Sequence, residues 1–516
     1  MSRKTDTAAS AGTSTERSAA ADADAVRGDP RRWKALIVLA LVSFVQVVDV
    51  TVVNVALPRI QHDLSFSQTG LAWVVNAYVL IAGGFLLLGG RLADLFGRRR
   101  LFMIGVAIFA VASATCGAAN SAEMLVASRF VQGLGEALAA PAALGLIALL
   151  FTDKTERNKA LGIWGGVAGL AGVSGVVISG LLTDLASWRW IFYINIPIAV
   201  IALLAVPRLV SESRMARTRG RVDLFGAVTA TAGLVAIVYG LLQAAEHAWG
   251  STNVLLPLGA GVLLLLAAAL IESRSSAPLI PLSFFQNRTR VTANIAGLLF
   301  TACFMSYIFL LTLYLQEVLE FSPLHGGLSY LPFGLSMGVG IGLGAGLMQK
   351  VGVKAIAVAG YLLAAVGLFL TSMIDENSSY ASGVLPGMII FGIASGMITP
   401  AITNASLHGV TGQDAGLASG VQQTLQQTGQ ALGLAALITF ALRHAADQVH
   451  QGAGRAAAAA DGYALSLRIA AGIVVVAAIA VVLLLNNVGP EPRNAVAEAD
   501  VDEVPAVPAP ADGTDR

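Results

Sequence analysis

The chain has 516 residues, of which 56% are hydrophobic and 12% charged, about half the charged share of an ordinary soluble domain. A soluble globular protein is thereby excluded. With 32 basic against 31 acidic residues the net charge is +1, so no global basic field points to nucleic acid as a partner.

Apolar runs of about twenty residues, enough to cross about 30 Å of hydrocarbon at 1.5 Å per residue, recur along the whole chain. The pattern predicts fourteen helices, over 35–57, 71–89, 101–119, 123–150, 160–183, 190–208, 224–242, 253–271, 291–315, 327–348, 354–373, 384–404, 416–441 and 466–486. The expected class is an all-α polytopic membrane protein whose environment is the lipid bilayer. Residues 1–33 are rich in Ala, Ser, Thr and Asp, and residues 488–516 in Pro, Ala, Asp and Glu. Such compositions cannot bury enough apolar surface to order themselves, which predicts disordered tails. The first apolar run is long and is followed by no small-residue cleavage site, so it reads as a retained span and not a signal peptide.

An even span count puts both termini on one side. If that side is cytoplasmic, it carries 26 of the 32 basic residues, against Arg59, Arg189, Arg443, Arg455 and Arg468 on the other and Arg129 within a span. The positive-inside rule then predicts cytoplasmic termini. Arg27, Arg31, Arg32 and Lys34 stand where anionic headgroups would meet them. Cys116 and Cys303 lie in apolar runs, with neither a disulfide framework nor metal-ligand spacing.

Gly90 to Arg99, between the second and third spans, matches Ala345 to Lys354, between the tenth and eleventh, in its Leu, Gly and terminal basic positions. Copies eight spans apart predict equivalent six-helix bundles at 34–209 and 291–487, with two extra helices in a 210–290 linker. Parallel halves of this kind suit rocking about a midplane site.

Asp49 sits eight residues before the end of the first span, about 12 Å below that surface. A carboxylate there costs roughly 2.5–3.5 kcal/mol and needs a partner, a cavity or the bundle interior. Arg129 on the fourth span lies at a matching depth, about 9 Å. The two can form a structural ion pair or a proton-coupled one. Glu136, two turns beyond Arg129 on the same helix face, can carry a proton, pair with another charge, or bind a cationic substrate directly. Asp49, Arg129 and Glu136 are the candidate proton-coupling residues. The loop with Gly90, Asp94, Gly97 and Arg98 reads either as a conformational latch between helix ends or as a topology signal alone.

The fifth span carries glycines at 165, 166, 169, 172, 175 and 180, and its counterpart, the thirteenth, at 416, 420, 429 and 433, which permits close helix approach. Glutamines at 422, 423, 426, 427 and 430 add a polar stripe that either lines a cavity or bonds neighbouring helices. Candidate cavity residues are Trp73, Asn76, Tyr78, Gln132, Gln423, Gln427, Phe304 and Tyr307, the aromatics serving either an apolar ligand or plain packing. No G-x-x-x-x-G-K-[ST] loop occurs. The six histidines are expected in loops, with no HExxH helix, so neither an ATPase, a membrane enzyme, a metal site nor a cofactor is expected.

These motifs resemble those of the major facilitator superfamily, and within it the fourteen-span drug:proton antiporters. Asn54-Val55-Ala56-Leu57-Pro58 is similar to the first-span signature, Gly90 to Arg100 to the inner-loop signature, and Arg129-Phe-Val-Gln132-Gly133-Leu-Gly135 to the fourth-span signature. Trp188 to Pro197, and Tyr314-Leu-Gln-Glu317 with Ser322-Pro323, add to the likeness. The resemblance implies export of small amphipathic drugs or antibiotics against proton entry, by a monomer in a bacterial plasma membrane. It assigns Asp49 and Arg129 to coupling and Asp94 and Arg98 to the latch. The fifth-span motif departs from the family, with Gly175-Val176 where Gly-Pro is usual, Ser179-Gly180 where Gly-Gly is usual, and Gln426 where the thirteenth span often has Arg. The missing Pro leaves an uptake symporter open as a second reading, and a non-transporting receptor or scaffold on the same fold as a third.

Overall fold

The computed structural model describes residues 31–151, 153–210, 223–275, 280, 284, 286–410 and 415–486. Residues 1–30 of the expected N-terminal tail, with the basic position Arg27, and the whole expected C-terminal tail lie outside the described residues, whereas Arg32 and Trp33, expected in the tail, open α1. All regular structure among them is helical. In chain order the long helices are α1 (Arg32–Leu64), α2 (Gln68–Phe96), α3 (Arg98–Gly117), α4 (Ala122–Leu150), α5 (Lys154–Leu185), α6 (Trp190–Leu209) and α7 (Leu224–Gln243). They continue as α8 (Thr252–Arg274), α9 (Arg288–Val318), α10 (Pro323–Val351), α11 (Val353–Thr371), α12 (Tyr380–Ser406), α13 (Ala415–His450) and α14 (Arg455–Leu484).

Thirteen of these are long and apolar enough to cross a bilayer. The exception is α13, the expected 416–441 span, where five glutamines dilute the apolar content. Length and apolarity alone therefore give thirteen crossings. The helices start where polar side chains cap free N–H groups, as Ser67 does for Gly70, Ser121 for Met124, Asp223 for Gly226 and Asn287 for Arg290. Most run past their apolar stretches, so the expected Gly90–Arg100 loop shrinks to Gly97 and Gly90 belongs to α2. His62, His325, His444 and His450 likewise lie in helices, correcting their expected loop placement.

The internal repeat is a three-dimensional fact. Gly97 and Gly352 both take positive φ, +101° and +86°, at the turns joining α2 to α3 and α10 to α11. Helix packing repeats with the same shift: α2 and α3 pack on α4 as α10 and α11 pack on α12. Likewise α1 packs on α5 and α6 as α9 packs on α13 and α14. Gly89 and Gly344 meet α4 and α12 so closely that an added Cβ would lie 2.0 Å from Ala137 O and 3.1 Å from Met397 Cα.

The halves meet along two related seams, α2 on α13 and α5 on α10. Helices α7 and α8 pair with each other, and α7 also covers α2 and α13. The membrane face bearing Arg32 and the end of α14 is called here the terminal face, and the other the far face. At the far face α5 closes on α10: a Cβ at Gly180 would lie 2.7 Å from Pro323 O, and one at Gly327 the same distance from Val176 O. Nearer the terminal face the same seam is open, with nothing within 4 Å of a Cβ at Gly162, Gly165 or Gly166 on α5, or at Gly338, Gly342 or Gly346 on α10.

Candidate functional site

Four helices bring one acidic side chain and its partners together inside the first half. Asp49 of α1 and Arg129 of α4 form an ion pair, each about 1% exposed. The same carboxylate accepts hydrogen bonds from Gln132 Nε2 (α4) and Asn195 Nδ2 (α6), both at 2.8 Å. Both amides also donate to Ser113 Oγ (α3), at 2.7 and 3.1 Å. Arg129 is held from every side: Nε donates to Val74 O at 2.9 Å, Nη1 to Gln132 Oε1 at 2.8 Å, and the guanidinium lies 4.2 Å from the Tyr78 ring centroid. A buried charge pair is tolerable when its remaining hydrogen-bonding capacity is met in this way.

Periodicity and depth placed Asp49 opposite Arg129, and the structure joins them. The supporting shell was less legible. Ser113 and Asn195 were not singled out as site residues, although each is a polar residue inside an otherwise apolar span, the available signal. Gln132 was expected to line a substrate cavity; its position one turn beyond Arg129 instead turns it into the ion-pair network, where it is fully buried.

Glu136 is 9% exposed, and its Oε2 has no hydrogen-bond partner. No cation pairs with it among the described residues, so the ion-pair reading of Glu136 is not realised. Asp49, Arg129 and Glu136 are the charged residues that are buried among those described.

At the terminal face Arg98 donates to Asp94 through Nε and Nη2, at 3.0 and 2.8 Å, and through Nη1 to Gly145 O of α4 at 2.8 Å. Asp94 and Arg98 therefore pair, and Arg98 ties the ends of α2, α3 and α4 within one half. Gly97 supplies the turn, and Gly90 lies over Pro141, 3.6 Å from where its Cβ would be.

A cavity of about 170 Å³ opens in the second half, lined among others by Phe300, Phe304, Thr301, Met337, Gln426 and Gln430. Of the expected cavity residues only Phe304 lines it. Gln426 and Gln430 replace Gln423 and Gln427 because the glutamines occupy more than one helix face. Gln423 is exposed, and Gln427 packs at the α2 seam, its Cβ 2.6 Å from a Cβ built on Gly83. Tyr307 is fully buried against Phe391, ring centroids 4.5 Å apart, and Tyr78 lies beneath Arg129. Trp73 packs on Phe130, and Asn76 is fully buried with neither amide atom bonded.

A model of the Major Facilitator Superfamily matches residues 39–434. The chain is 39% identical over 468 residues to the puromycin resistance protein pur8 of Streptomyces alboniger, covering 89% of this chain and 92% of that protein. It is 41% identical over 424 residues to the lincomycin resistance protein of Streptomyces lincolnensis, covering 81% and 86%. The cephamycin export protein CmcT of Amycolatopsis lactamdurans is 39% identical over 409 residues, with 78% and 84% covered. Among solved structures, a bacterial homologue of the human lysosomal transporter Spinster, inward-facing and unoccupied, superposes with TM-score 0.64 at 18% identity, covering 89% of this chain and 97% of that one. The xylose transporter XylE of E. coli, in an inward-open conformation, superposes with TM-score 0.61 at 15% identity, covering 89% and 98%. The chain belongs to the Major Facilitator Superfamily.

Proposed function

We propose that the protein is a proton-coupled secondary exporter of small amphipathic drugs or antibiotics, working by alternating access as a monomer in a bacterial plasma membrane. Relatives named for resistance to or export of puromycin, lincomycin and cephamycin support the export reading. In this reading the terminal face is cytoplasmic, α13 crosses the membrane as the fourteenth span, and the halves 34–209 and 291–487 rock about the seams α2–α13 and α5–α10, with the 210–290 linker contributing α7 and α8. The closed far-face end of α5–α10 and its open terminal-face end suit an inward-facing state.

The observation that carries coupling is the Asp49 carboxylate, buried and bonded by Arg129, Gln132 and Asn195. Rearrangement of α1 against α4 and α6 exchanges those donors for a proton, so the proton affinity of Asp49 follows the conformation. One proton entering down 100 mV and one pH unit supplies about 3.7 kcal/mol, enough for a several-hundredfold gradient of a neutral solute.

The test is flux in everted vesicles under an imposed pH gradient, across a panel of antibiotic classes. Accumulation driven by an acid interior, and its collapse on adding a protonophore, is the expected result. Transport in the opposite sense identifies an uptake symporter, and no substrate-dependent proton movement in proteoliposomes identifies a receptor or scaffold.

A further inference from the structure

The five glutamines of α13 divide by face. Gln422 Nε2 donates to Thr403 Oγ1 at 3.1 Å, Gln423 is exposed, and Gln427 packs at the α2 seam. Gln426 and Gln430, four residues apart and so on one face, both line the cavity of about 170 Å³ in the second half. Neither side-chain amide is hydrogen-bonded among the described residues. The lining hydroxyl protons are already committed, that of Thr301 to Gln426 O and that of Thr399 to Ser395 O, both at 2.9 Å. The two amides are therefore the free side-chain donors of the lining.

The aromatic lining is Phe300 and Phe304, ring centroids 5.8 Å apart. Other rings back them: Phe300 meets Tyr361 nearly edge-on at 6.1 Å, and Phe304 meets Phe333 and Phe391 at 5.9 and 6.2 Å. Rings braced by rings form a wall that exists before a ligand arrives. No lining residue carries a formal charge, so an ion entering would lose water and gain no counter-charge. A purely apolar ring would leave the amides beside it unpaired. The cavity slightly exceeds the roughly 150 Å³ that admits benzene and falls short of the roughly 300 Å³ at which whole-drug pockets begin. It holds one compact aryl group and not a complete drug.

We propose that this cavity is a subsite for an uncharged, flat ring whose edge carries an N–H donor beside a carbonyl acceptor, as a lactam does. Each glutamine amide offers Nε2 as donor and Oε1 as acceptor, which is the complement of that edge. Nε2 donates to the ring carbonyl and Oε1 accepts from the ring N–H, while the ring face lies on Phe300 and Phe304. The proposal rests on the exporter reading and names the group by which such an exporter would recognise its cargo. Gln426 and Gln430 set specificity here, and the charges of the first half take no part in it.

The test is equilibrium dialysis of the full-length protein in detergent, with protein-free micelles as the blank. The probes are carbostyril, a fused-ring lactam, and quinoline, which keeps the two rings and lacks the N–H and carbonyl. The quantity read is the ratio of their affinities within each variant, so that partition into detergent cancels. Wild type should bind carbostyril saturably, and in Gln426→Leu/Gln430→Leu the ratio should fall at least about tenfold against carbostyril. The single variants each lower it several-fold and decide the case if the double variant does not fold. Gln426→Asn/Gln430→Asn, with shorter amides, recovers part of the ratio, and Gln423→Leu, on another face, retains it. The proposal is overturned by carbostyril failing to bind wild type saturably, by an unchanged ratio in the leucine variants, or by an equal loss in Gln423→Leu. Selective carbostyril binding without pH-driven flux in vesicles would instead sink the exporter reading and leave the subsite standing.

Discussion

Asp49→Asn separates an engine from a fastener. The substitution preserves shape but removes the charge that Arg129 faces, and it places an amide N–H₂ among the donors Gln132 Nε2 and Asn195 Nδ2. Arg129 is 1% exposed, so the cation it leaves is uncompensated, at a cost of about 3–5 kcal/mol for breaking a buried pair. Removing both partners in Asp49→Asn/Arg129→Gln relieves that cost, so the double variant is destabilised by clearly less than the sum of the single ones. A structural pair predicts that much and no more. A coupling pair predicts in addition that both Asp49→Asn and the double variant lose the whole pH-driven gradient, from several hundredfold to none, while facilitated exchange survives. Asp49→Glu keeps a titratable carboxyl and retains part of the gradient. The assay combines thermal unfolding in detergent with substrate accumulation in proteoliposomes under a fixed pH difference. A wild-type gradient in Asp49→Asn would refute the coupling role, and strictly additive stabilities would refute the buried pair.

Other residues give independent checks. Arg98→Ala removes two bonds to Asp94 and one to Gly145 O, whereas Asp94→Asn leaves the last intact. The Arg98 variant should therefore unfold more readily, by about 1 kcal/mol, as read from thermal midpoints. Gly180→Val would put side-chain atoms against Pro323 O and Leu324 Cα, which a Cβ meets at 2.7 and 2.9 Å. It should prise the far face open and raise the labelling of a cysteine placed there, and unchanged labelling would count against closure by α5 and α10. Gln316 Nε2 of α9 donates to Val55 O of α1 at 2.8 Å, joining the halves across the far face. Gln316→Leu loses about 1 kcal/mol from that closed state, a several-fold shift toward far-face opening, measurable as a change in spin-label distances between the halves.

Much of the architecture was legible because the membrane demands it: apolar length fixes crossings, and backbone groups in lipid must bond within helices. The eight-span repeat was readable from Gly97 and Gly352, because a turn needing positive φ selects glycine wherever it recurs. The pairing of Asp49 with Arg129 followed from depth, since a charge in hydrocarbon must find its opposite at the same level. Polar content hid the thirteenth helix from an apolarity criterion, and helix ends ran past their apolar stretches because capping, not hydropathy, stops a helix.

The sequence by itself determined that this chain is helical, membrane-spanning, repeated in two halves and furnished with one buried charge pair, since each property depends on residue type at a stated depth or spacing. Which polar side chains serve that pair was decided only by tertiary packing. Ser113, Gln132 and Asn195 come from α3, α4 and α6, and a hydrogen bond needs a direction that helical spacing does not specify. Packing likewise decided that Gln426 and Gln430 line the cavity while Gln427 fills a seam, because a helix turns about 100° per residue and its neighbours choose the face. The unpaired state of Glu136 belongs to the same class, since a charge is left alone by what its neighbours bind, and α1 and α2 reach Arg129 first.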